Sequence, residues 1–212
     1  PMGKVNKKQA LIFGTSLSFF SVIALDYFAN TISAALLLFT ILFYVFVYTI
    51  WLKRKTPQNI VIGGAAGALP PVIGWTIATN SLSLEPITFF LIIFFWTPSH
   101  FWALSLYKSD DYKKAKIPML PLTNGIESTK INILVYSLLM LPMIILPYAI
   151  DFVGLIFLIP ALMLTLYYNF LCFELYQFKK NKFNPKKAKT IFGYSILYLF
   201  LIFVIFLIDK IL

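Results

Sequence analysis

The sequence predicts an all-α polytopic membrane protein, a bundle of about seven transmembrane helices. Hydrophobic residues make up 60% of the 212 residues and charged residues only 12%, with a mean hydropathy of +0.84, and no ordinary soluble domain has this composition. The apolar runs are about 20 residues long, enough to cross a hydrocarbon core of roughly 30 Å. They are too long and too continuous for barrel strands, so helices are the way to satisfy the backbone in lipid.

Seven apolar spans follow one another, and the charge of their connections alternates. We place the spans at residues 8–28, 31–52, 59–79, 86–107, 127–150, 153–178 and 189–209. With this count, 17 of the 18 lysines and arginines fall on one side of the membrane. The positive-inside rule makes that side cytoplasmic, so we expect loops 53–58, 108–126 and 179–188 to be cytoplasmic, in a bacterial inner membrane. The net charge of +10 then reflects topology and anionic lipid rather than nucleic acid.

The third span begins with polar and small residues and is interrupted by prolines. Gly63 and Gly67 form a GxxxG pair, which allows another helix to approach closely. Pro70 and Pro71 are expected to kink or break this span, and Pro98 the fourth span. Broken helices at membrane depth are tolerated where the backbone lines a cavity. We therefore expect a cavity between these two spans.

The densest polar cluster follows the fourth span, in the stretch WTPSHFWALSLYKSDDYKKAKIPMLP (96–121). Ionisable groups at membrane depth are costly and mark functional sites. The adjacent carboxylates Asp110 and Asp111 suit Mg²⁺, which prefers oxygen ligands and bridges to phosphates. Steps of three and four residues place seven residues on one face of a helix: Trp96, His100, Ala103, Tyr107, Asp110, Asp111 and Lys114.

Basic side chains accompany these carboxylates at the expected mouth of the cavity. Lys114, with Lys53 and Arg54 from the loop before the third span, can neutralise phosphate oxygens. Aromatic rings deeper in the stretch can stabilise a carbocation through their quadrupoles. These rings belong to Trp96, Phe101, Trp102 and Tyr107. The pattern fits a substrate with a lipid tail and a diphosphate head, whose departure a metal would stabilise.

Simpler interpretations stay open for each feature. The Asp110–Asp111 stretch is also typical of a solvated loop. His100, the single histidine, is either a hydrogen-bonded interior residue or a substrate contact, haem ligation included. Cys172 is expected to be a small packed residue, and the last span a plain apolar scaffold. A transporter is disfavoured, because the polar cluster lies at one surface and no repeat is evident.

Two blocks of the sequence resemble a known family. The segments YTIWLKRKTPQNIVIGGAAGALPPVIGW (48–75) and FLIIFFWTPSHFWALSLYKSDDYKKAKIPMLP (90–121) closely resemble the UbiA-type intramembrane prenyltransferases, and among them the branch that farnesylates haem. The resemblance implies a nine-helix membrane bundle with a cytoplasmic active site. It also implies Mg²⁺-dependent transfer of a farnesyl group from farnesyl diphosphate to a vinyl group of haem B, which gives haem O.

Several residues match the motifs of this family. Asp110 and Asp111 match the second of two Asp-rich motifs that hold Mg²⁺ and diphosphate, which implies a catalytic and metal-binding role. Lys53 and Arg54 match a Lys-Arg pair that faces diphosphate, and His100 falls in a Trp-Thr-Pro-x-His-Phe-Trp block. The expected substrate-binding residues are Lys53, Arg54, Asn59, Trp96, His100, Tyr107 and Lys114.

His100 is expected to serve the haem side of the site. Its offset from Asp110 is ten residues, about 15 Å along a continuous helix, which is too far for both to touch one metal. We therefore expect His100 to orient haem or to ligate it.

No segment matches the first Asp-rich motif of the family, and residues 1–14 resemble the stretch that follows it. The chain thus resembles the last seven helices of nine. We expect residues 1–212 to form a single membrane-embedded prenyltransferase domain without the two N-terminal helices, and to turn over negligibly as given.

The expected partners are farnesyl diphosphate, haem B, membrane lipid and a haem A synthase, and no nucleic acid is expected. Two alternatives stay open beside haem farnesylation. One is a related membrane prenyltransferase that acts on an aromatic quinone precursor. The other is a non-catalytic membrane assembly protein.

Overall fold

The computed structural model describes residues 5–177 and 184–212, and these residues form helices joined by short connections. Lys4 and residues 179–183, the first half of the loop 179–188 for which the sequence predicts a cytoplasmic position, lie outside the described residues. The helices are α1 (Lys7–Phe28), α2 (Thr31–Leu42), α3 (Asn59–Ala68), α4 (Pro70–Thr79), α5 (Glu85–Tyr107), α6 (Ser109–Lys114), α7 (Leu120–Thr123), α8 (Gly125–Ala149), α9 (Leu155–Gln177) and α10 (Pro185–Ile211), and a π-helical segment (Phe43–Leu52) continues α2.

Seven segments of the described chain are long and apolar enough to cross a membrane. They are α1, α2 with its π-helical segment, α3 with α4, α5, α8, α9 and α10. The predicted all-α class and the predicted count of seven spans are therefore confirmed. Each predicted boundary lies within four residues of the boundary found.

The second span is joined to the third at the end of the bundle opposite the basic loops. The Asn30 side chain caps α2 by accepting from the Ser33 amide at 2.9 Å, and donates to the Thr76 carbonyl at 2.7 Å. The Ser33 and Thr76 hydroxyls lie 2.8 Å apart. These bonds fix α2 against α4, because polar groups inside an apolar bundle have few other partners.

The second span ends in a π-helical segment, which is wider than an α-helix. The Lys53 amide donates to the carbonyl of Tyr48, five residues earlier, at 2.8 Å, and this spacing is that of a π-helix, which is frequent at functional sites. Tyr44 and Tyr48 belong to the segment, and their ring centroids lie 5.1 Å apart. Both tyrosines line a cleft beside α3.

The third span is interrupted at Pro70, as predicted. Helix α3 ends at Ala68, and Pro70 is the first residue of α4, a position at which a missing N–H leaves no hydrogen bond unmade. Leu69 between them keeps near-helical angles, with φ −76° and ψ −23°. Helix α4 therefore continues α3 after one interrupted turn.

Helix α5 lies at the centre of the fold and packs against α3, α4, α8 and α10. Of the kink or break predicted at Pro98, the break does not occur, because α5 runs through this residue from Glu85 to Tyr107; the kink stays a prediction. The hydroxyls on either side bond to nearby carbonyls: Thr97 donates to Ile93 at 2.7 Å and Ser99 to Trp96 at 3.0 Å. Such bonds and close packing allow a membrane helix to contain proline.

Helix α5 ends at Tyr107, where Lys108 leaves the helical region with φ −110° and ψ 22°. Asp110 and Asp111 therefore belong to the separate short helix α6. The prediction of one continuous face from Trp96 to Lys114 is wrong beyond Tyr107. The axial estimate of the separation between His100 and Asp110 does not hold for this geometry.

Helices α8, α9 and α10 complete the bundle. Cys172 is fully buried on α9, as expected. Tyr168 and Tyr198 are also fully buried. The Tyr168 hydroxyl donates to Ser99 of α5 at 2.9 Å, and the hydroxyls of Tyr198 and Thr165 lie 3.0 Å apart. The interior thus contains polar groups, and these phenols have partners.

Asp209, near the end of α10, caps the start of α9. Its carboxylate accepts from the amides of Gly154 and Phe157 at 3.0 Å each. A carboxylate at this position also complements the positive end of the helix dipole. Lys210 donates to the Phe152 carbonyl and lies 4.6 Å from the centroid of the Phe152 ring. These contacts hold α9 and α10 together at the end opposite the basic loops.

Candidate functional site

A cleft of about 240 Å³ lies between the π-helical segment, α3 and α5. The predicted cavity between the third and fourth spans is therefore confirmed. The second span contributes two tyrosines to it, which were not among the predicted site residues. The lining residues are Tyr44, Tyr48, Ile60, Gly63, Gly64, Gly67, Ile93, Trp96, Thr97 and Phe101.

Glycines create both the close packing and the open space of this cleft. A Cβ on Gly63 would lie 2.3 Å from Cδ2 of Tyr48, and one on Gly64 would lie 3.0 Å from Cγ2 of Thr97. The missing side chains therefore let the π-helical segment and α5 approach α3. A Cβ on Gly67 would have nothing within 4 Å. Close packing occurs at Gly63 and Gly64, whereas Gly67 leaves an opening.

A second apolar cavity of about 370 Å³ adjoins the cleft on the side of α1 and α2. Tyr44 and Gly67 line both cavities. The two spaces therefore lie side by side at Tyr44 and Gly67, and a Cβ added to Gly67 would meet nothing within 4 Å. Together they offer a path for an apolar chain that starts beside α5 and continues toward α2. The lining of the second cavity is Ser18, Thr40, Ile41, Tyr44, Val45, Ala66 and Gly67.

The basic loop before α3 lies next to the cleft. Lys53 is half-buried, with Nζ 5.8 Å from the ring centroid of Tyr48, and Arg54 is exposed. Asn59 is fully buried and donates Nδ2 to the carbonyl of Thr56 at 2.7 Å. Its Oδ1 is buried without a hydrogen-bond partner among the residues described. Asn59 thus shapes the loop that presents the basic side chains, and its contact with substrate stays a prediction.

The acidic pair lies on α6, just beyond the end of α5. Asp110 and Asp111 are both exposed, and Asp111 pairs with Lys108 at 3.5 Å. Exposed ion pairs contribute little to stability, so the stability of the fold does not depend on either carboxylate. Burial raises the pKa of Tyr112, and the Tyr107 phenol and the Asp111 carboxylate raise it further. Tyr112 therefore keeps its proton at neutral pH and can donate a hydrogen bond beside the acidic pair.

Tyr112 links the acidic helix to the cleft. Its phenol lies within electrostatic range of Tyr48, which lines the cleft. The connection that contains α6 and the loop that contains Lys53 lie at the same end of the bundle, because two membrane spans separate them along the chain. Lys114 is exposed on α6, and its expected role at the mouth stays a prediction.

The acidic pair suits one kind of metal complex. No three His, Cys, Asp or Glu side chains come together as a metal-binding group in the part of the chain that the structure describes. Mg²⁺, however, retains several waters and commonly takes one or two protein carboxylates together with substrate phosphates. Asp110 and Asp111 therefore fit a Mg²⁺–diphosphate complex, and they do not fit a metal held by protein ligands alone.

His100 is buried where α5 meets α10. Its ring stacks between Trp96 and Phe192, at centroid distances of 4.2 and 4.6 Å. Nδ1 lies 2.6 Å from Oγ of Ser195, and the Trp96 indole donates to the Ser195 carbonyl at 2.9 Å. The interpretation of His100 as a hydrogen-bonded interior residue is confirmed. Its role toward haem stays a prediction, and Nε2 is the nitrogen left for it.

An open apolar groove of about 310 Å³ runs between α5 and α10 beside this histidine. Both faces of the imidazole are covered and Nδ1 is engaged, so the edge that carries Nε2 is the part of the ring that reaches the groove. Four of the six lining residues belong to α10, and the expectation that α10 is plain scaffold stays a prediction. The lining residues are Trp96, His100, Ile196, Leu199, Phe200 and Phe203.

Two of the four aromatic residues expected to face a carbocation line the cleft, namely Trp96 and Phe101. Trp102 is fully buried and packs edge-on against Tyr136 at 5.2 Å, so its expected role is wrong. It lies six residues after Trp96, which places it on another face of the helix. Tyr107 lies at the end of α5, 6.0 Å from the ring of Phe192.

Sequence reasoning missed several residues of the site. Tyr44 and Tyr48 are four residues apart, a spacing that puts them on one helix face, and this signal was available. Ser195 is a polar residue in an apolar span, which is a weaker signal. Tyr112 carries no local signal of its proximity to the cleft. Contacts between distant helices decide which of these residues reach the site.

Comparison with known proteins adds three findings. The sequence matches the UbiA prenyltransferase family over residues 1–196. It is 96% identical over 212 residues to the protoheme IX farnesyltransferase of Pelagibacter ubique (strain HTCC1062), and 50% identical over 212 residues to that of Parvibaculum lavamentivorans (strain DS-1). Both matches cover the whole chain, and they cover 70% and 67% of the respective relatives.

A solved structure reported for digeranylgeranylglyceryl phosphate synthase in membranes has the same fold. Its TM-score with this chain is 0.80, over 99% of this chain and 72% of that one, at 16% identity. At this identity the likeness bears on the fold alone.

The glycines of α3 should respond differently to alanine. We expect Gly63→Ala to lower the free energy of unfolding by about 1–3 kcal/mol, because the added methyl forces the Tyr48 ring aside. Gly67→Ala should leave stability unchanged or raise it by up to about 1 kcal/mol, through helix propensity alone. Unfolding by SDS, followed by tryptophan fluorescence of the purified protein, measures both. Equal losses in the two variants would contradict the packing described here.

Proposed function

The chain belongs to the UbiA prenyltransferase family, and on this premise we propose that it transfers the farnesyl group of farnesyl diphosphate to a vinyl group of haem B, giving haem O. The observation that carries the proposal is the 96% identity over all 212 residues to a protoheme IX farnesyltransferase. Haem B and a prenyl diphosphate are the two substrates that this activity requires.

The diphosphate belongs at the mouth of the cleft. Lys53 and Arg54 supply positive charge on one side, and the carboxylates of Asp110 and Asp111 stand on α6 on the other. Tyr112, next to Asp111 on α6, supplies a neutral hydrogen-bond donor, since burial raises the pKa of its phenol. Cations and donors that converge on one place stabilise the negative charge that grows on a departing diphosphate.

Mg²⁺ is the metal that this family implies, and the carboxylates of Asp110 and Asp111 would hold it together with the diphosphate. When bound, Mg²⁺ supplies Lewis-acid stabilisation of the leaving diphosphate. The basic side chains bind and orient the phosphate oxygens. Lys114, exposed on the same helix as the acidic pair, adds a cation at the edge of the site.

The farnesyl tail lies in the cleft and extends past Gly67 into the second cavity. The two spaces meet at Gly67 and Tyr44, and their apolar walls exclude water from the reacting carbon. Trp96 and Phe101 present aromatic rings in the cleft. Such rings stabilise a carbocation through their quadrupoles.

Farnesyl transfer breaks one carbon–oxygen bond and forms one carbon–carbon bond. The bond between C1 of the farnesyl group and the diphosphate oxygen breaks, and diphosphate leaves with the electron pair. The π electrons of the haem vinyl group form the new carbon–carbon bond to C1. The cation left on the former vinyl group is consumed by addition of water, which releases one proton. His100 serves the acceptor side of this reaction, where it orients haem B.

The orientation in the membrane follows from charge. The loop at 53–58 and the connection from α5 to α8 carry seven of the fourteen described lysines and arginines, which supports a cytoplasmic position for both. The membrane is the inner membrane of a bacterium. Lipid covers the exposed apolar side chains of the outer helices, and a haem A synthase is the partner that would receive haem O.

Turnover is tested on the chain extended to the length of the Pelagibacter ubique relative with that relative's own residues. Membranes with this protein, Mg²⁺, farnesyl diphosphate and haem B should produce haem O, detected by mass spectrometry. We expect Asp110→Asn combined with Asp111→Asn to lower turnover about 100-fold or more, because loss of metal stabilisation is worth several kcal/mol. Product from an aromatic acid acceptor instead of haem B would favour the quinone-precursor alternative.

The matched control for the acidic pair is Asp26→Asn, which changes an exposed carboxylate on α1. It should keep full turnover. Full turnover in the Asp110–Asp111 variant as well would mean that the α6 carboxylates are an ordinary solvated surface. Absence of product from either acceptor would favour the non-catalytic assembly protein.

The length of the prenyl path is tested at Gly67. Gly67→Leu should fill the opening between the two cavities and weaken binding of farnesyl diphosphate about 10-fold or more, with a smaller effect on the shorter geranyl diphosphate. Gly74→Leu is the control, because Gly74 is also helical and exposed with nothing within 4 Å of its added Cβ. Calorimetry on the purified protein measures the affinities of farnesyl diphosphate and geranyl diphosphate for both variants. Equal loss of both ligands in Gly67→Leu would argue against a tail that passes this residue.

Membrane orientation is tested by single-cysteine labelling in intact bacterial cells. Cys172 is fully buried, so an added cysteine gives the dominant signal. Lys113→Cys should be protected from a membrane-impermeant maleimide, and Leu82→Cys, at a position 60% exposed at the opposite end, should react. The reverse pattern would overturn the orientation.

A further inference from the structure

The hydroxyl of Ser195 has two close neighbours that compete for its single proton. Its Oγ lies 2.6 Å from the carbonyl oxygen of Phe192, three residues earlier on α10. It also lies 2.6 Å from Nδ1 of His100 on α5. Two oxygen atoms at 2.6 Å require a proton between them, since this is the length of a short O–H···O bond. A carbonyl can only accept, so Ser195 donates to Phe192.

The protonation of His100 follows from this assignment. A hydroxyl carries one proton and accepts with its lone pairs. Because the Ser195 proton is directed to Phe192, Ser195 accepts from His100, and Nδ1 must carry the hydrogen. A neutral imidazole has one N–H and one lone pair. The lone pair is therefore on Nε2.

The orientation of the His100 imidazole is also fixed. Trp96 and Phe192 stack on its two faces, with interplanar angles of 20° and 25°. The Trp96 indole donates to the Ser195 carbonyl at 2.9 Å. Ser195 thus fixes both His100 and one of the rings that flank it. Neither ring rotation nor exchange of the two nitrogens is available without breaking these bonds.

We propose that Ser195 is a positioning residue that locks His100 in the Nδ1–H form, so that Nε2 ligates the iron of haem B in the groove between α5 and α10. The inference rests on the proposed function and adds to it the atom that contacts the acceptor. The other five residues that line the groove carry apolar or aromatic side chains, which suits the face of a porphyrin. Neutral imidazole is a common axial ligand of haem iron. Partners that orient a ligating histidine through its other nitrogen tune its affinity for metal.

The single histidine makes the test direct. The protein is labelled with ¹⁵N-histidine, purified with a tag that contains no histidine, and examined by NMR without haem. The parent should show a protonated Nδ1 and an unprotonated Nε2. Ser195→Ala should lose this preference, and Ser195→Thr, which keeps a hydroxyl, should restore it.

Haem B binding is then followed by optical titration of the same proteins. Ser195→Ala should weaken binding by roughly 10–100-fold, the usual effect of removing such an orienting partner, and Ser195→Thr should recover most of it. Ser105→Ala is the matched control, because Ser105 is also buried and bonds to a carbonyl three residues earlier, at 2.9 Å. It should change neither the NMR signals nor the affinity.

Three outcomes would overturn the inference. A protonated Nε2 in the parent protein contradicts the assignment, whatever the variants do. Unchanged tautomer and unchanged haem affinity in Ser195→Ala show that the hydroxyl does not position the ring. A tautomer that responds to Ser195→Ala, in a protein that binds no haem B in any form, removes the ligand role and with it the acceptor side of the proposed function. The first two outcomes leave the proposed function intact.

Discussion

The polar side chains of α5 must find partners inside the bundle, because lipid offers none. Ser99 accepts from Tyr168 of α9, and His100 bonds to Ser195 of α10. These bonds hold α9 and α10 against one side of α5. The opposite side faces α3 across Gly64, where contact is made without polar bonds. The polar side chains of α5 therefore decide which helices are bound to it by hydrogen bonds, and the glycines of α3 decide where a helix approaches it without them.

The spans of this protein were predictable because hydropathy and the alternation of basic residues act over about 20 residues at a time. The interruption at Pro70 was also predictable, since proline has no N–H to continue a helix. At Pro98, by contrast, the helix does not break. There the hydroxyls of Thr97 and Ser99 bond to nearby carbonyls and neighbouring helices pack on both sides. A local rule cannot anticipate support from the surrounding bundle.

The candidate site was predictable as far as one helix extends. Trp96 and His100 are four residues apart, and they share a face of α5. Beyond Tyr107 the periodicity no longer applies, because Lys108 leaves the helix. Ser195 lies 95 residues from His100 along the chain, and no local sequence pattern predicts a contact over that separation. The structure was needed to find which nitrogen of the histidine is free.

Trp96 lines both the cleft and the groove, and it is therefore the wall between them. Its indole is fixed by the bond to the Ser195 carbonyl at 2.9 Å and by the stack on His100 at 4.2 Å. Two substrates cannot react through a fixed ring. On the proposed function, C1 of the farnesyl group and the haem vinyl group meet beyond the edge of this indole, because the ring itself stands between the two spaces. The bonds that satisfy α5 thereby also limit where the two substrates can meet.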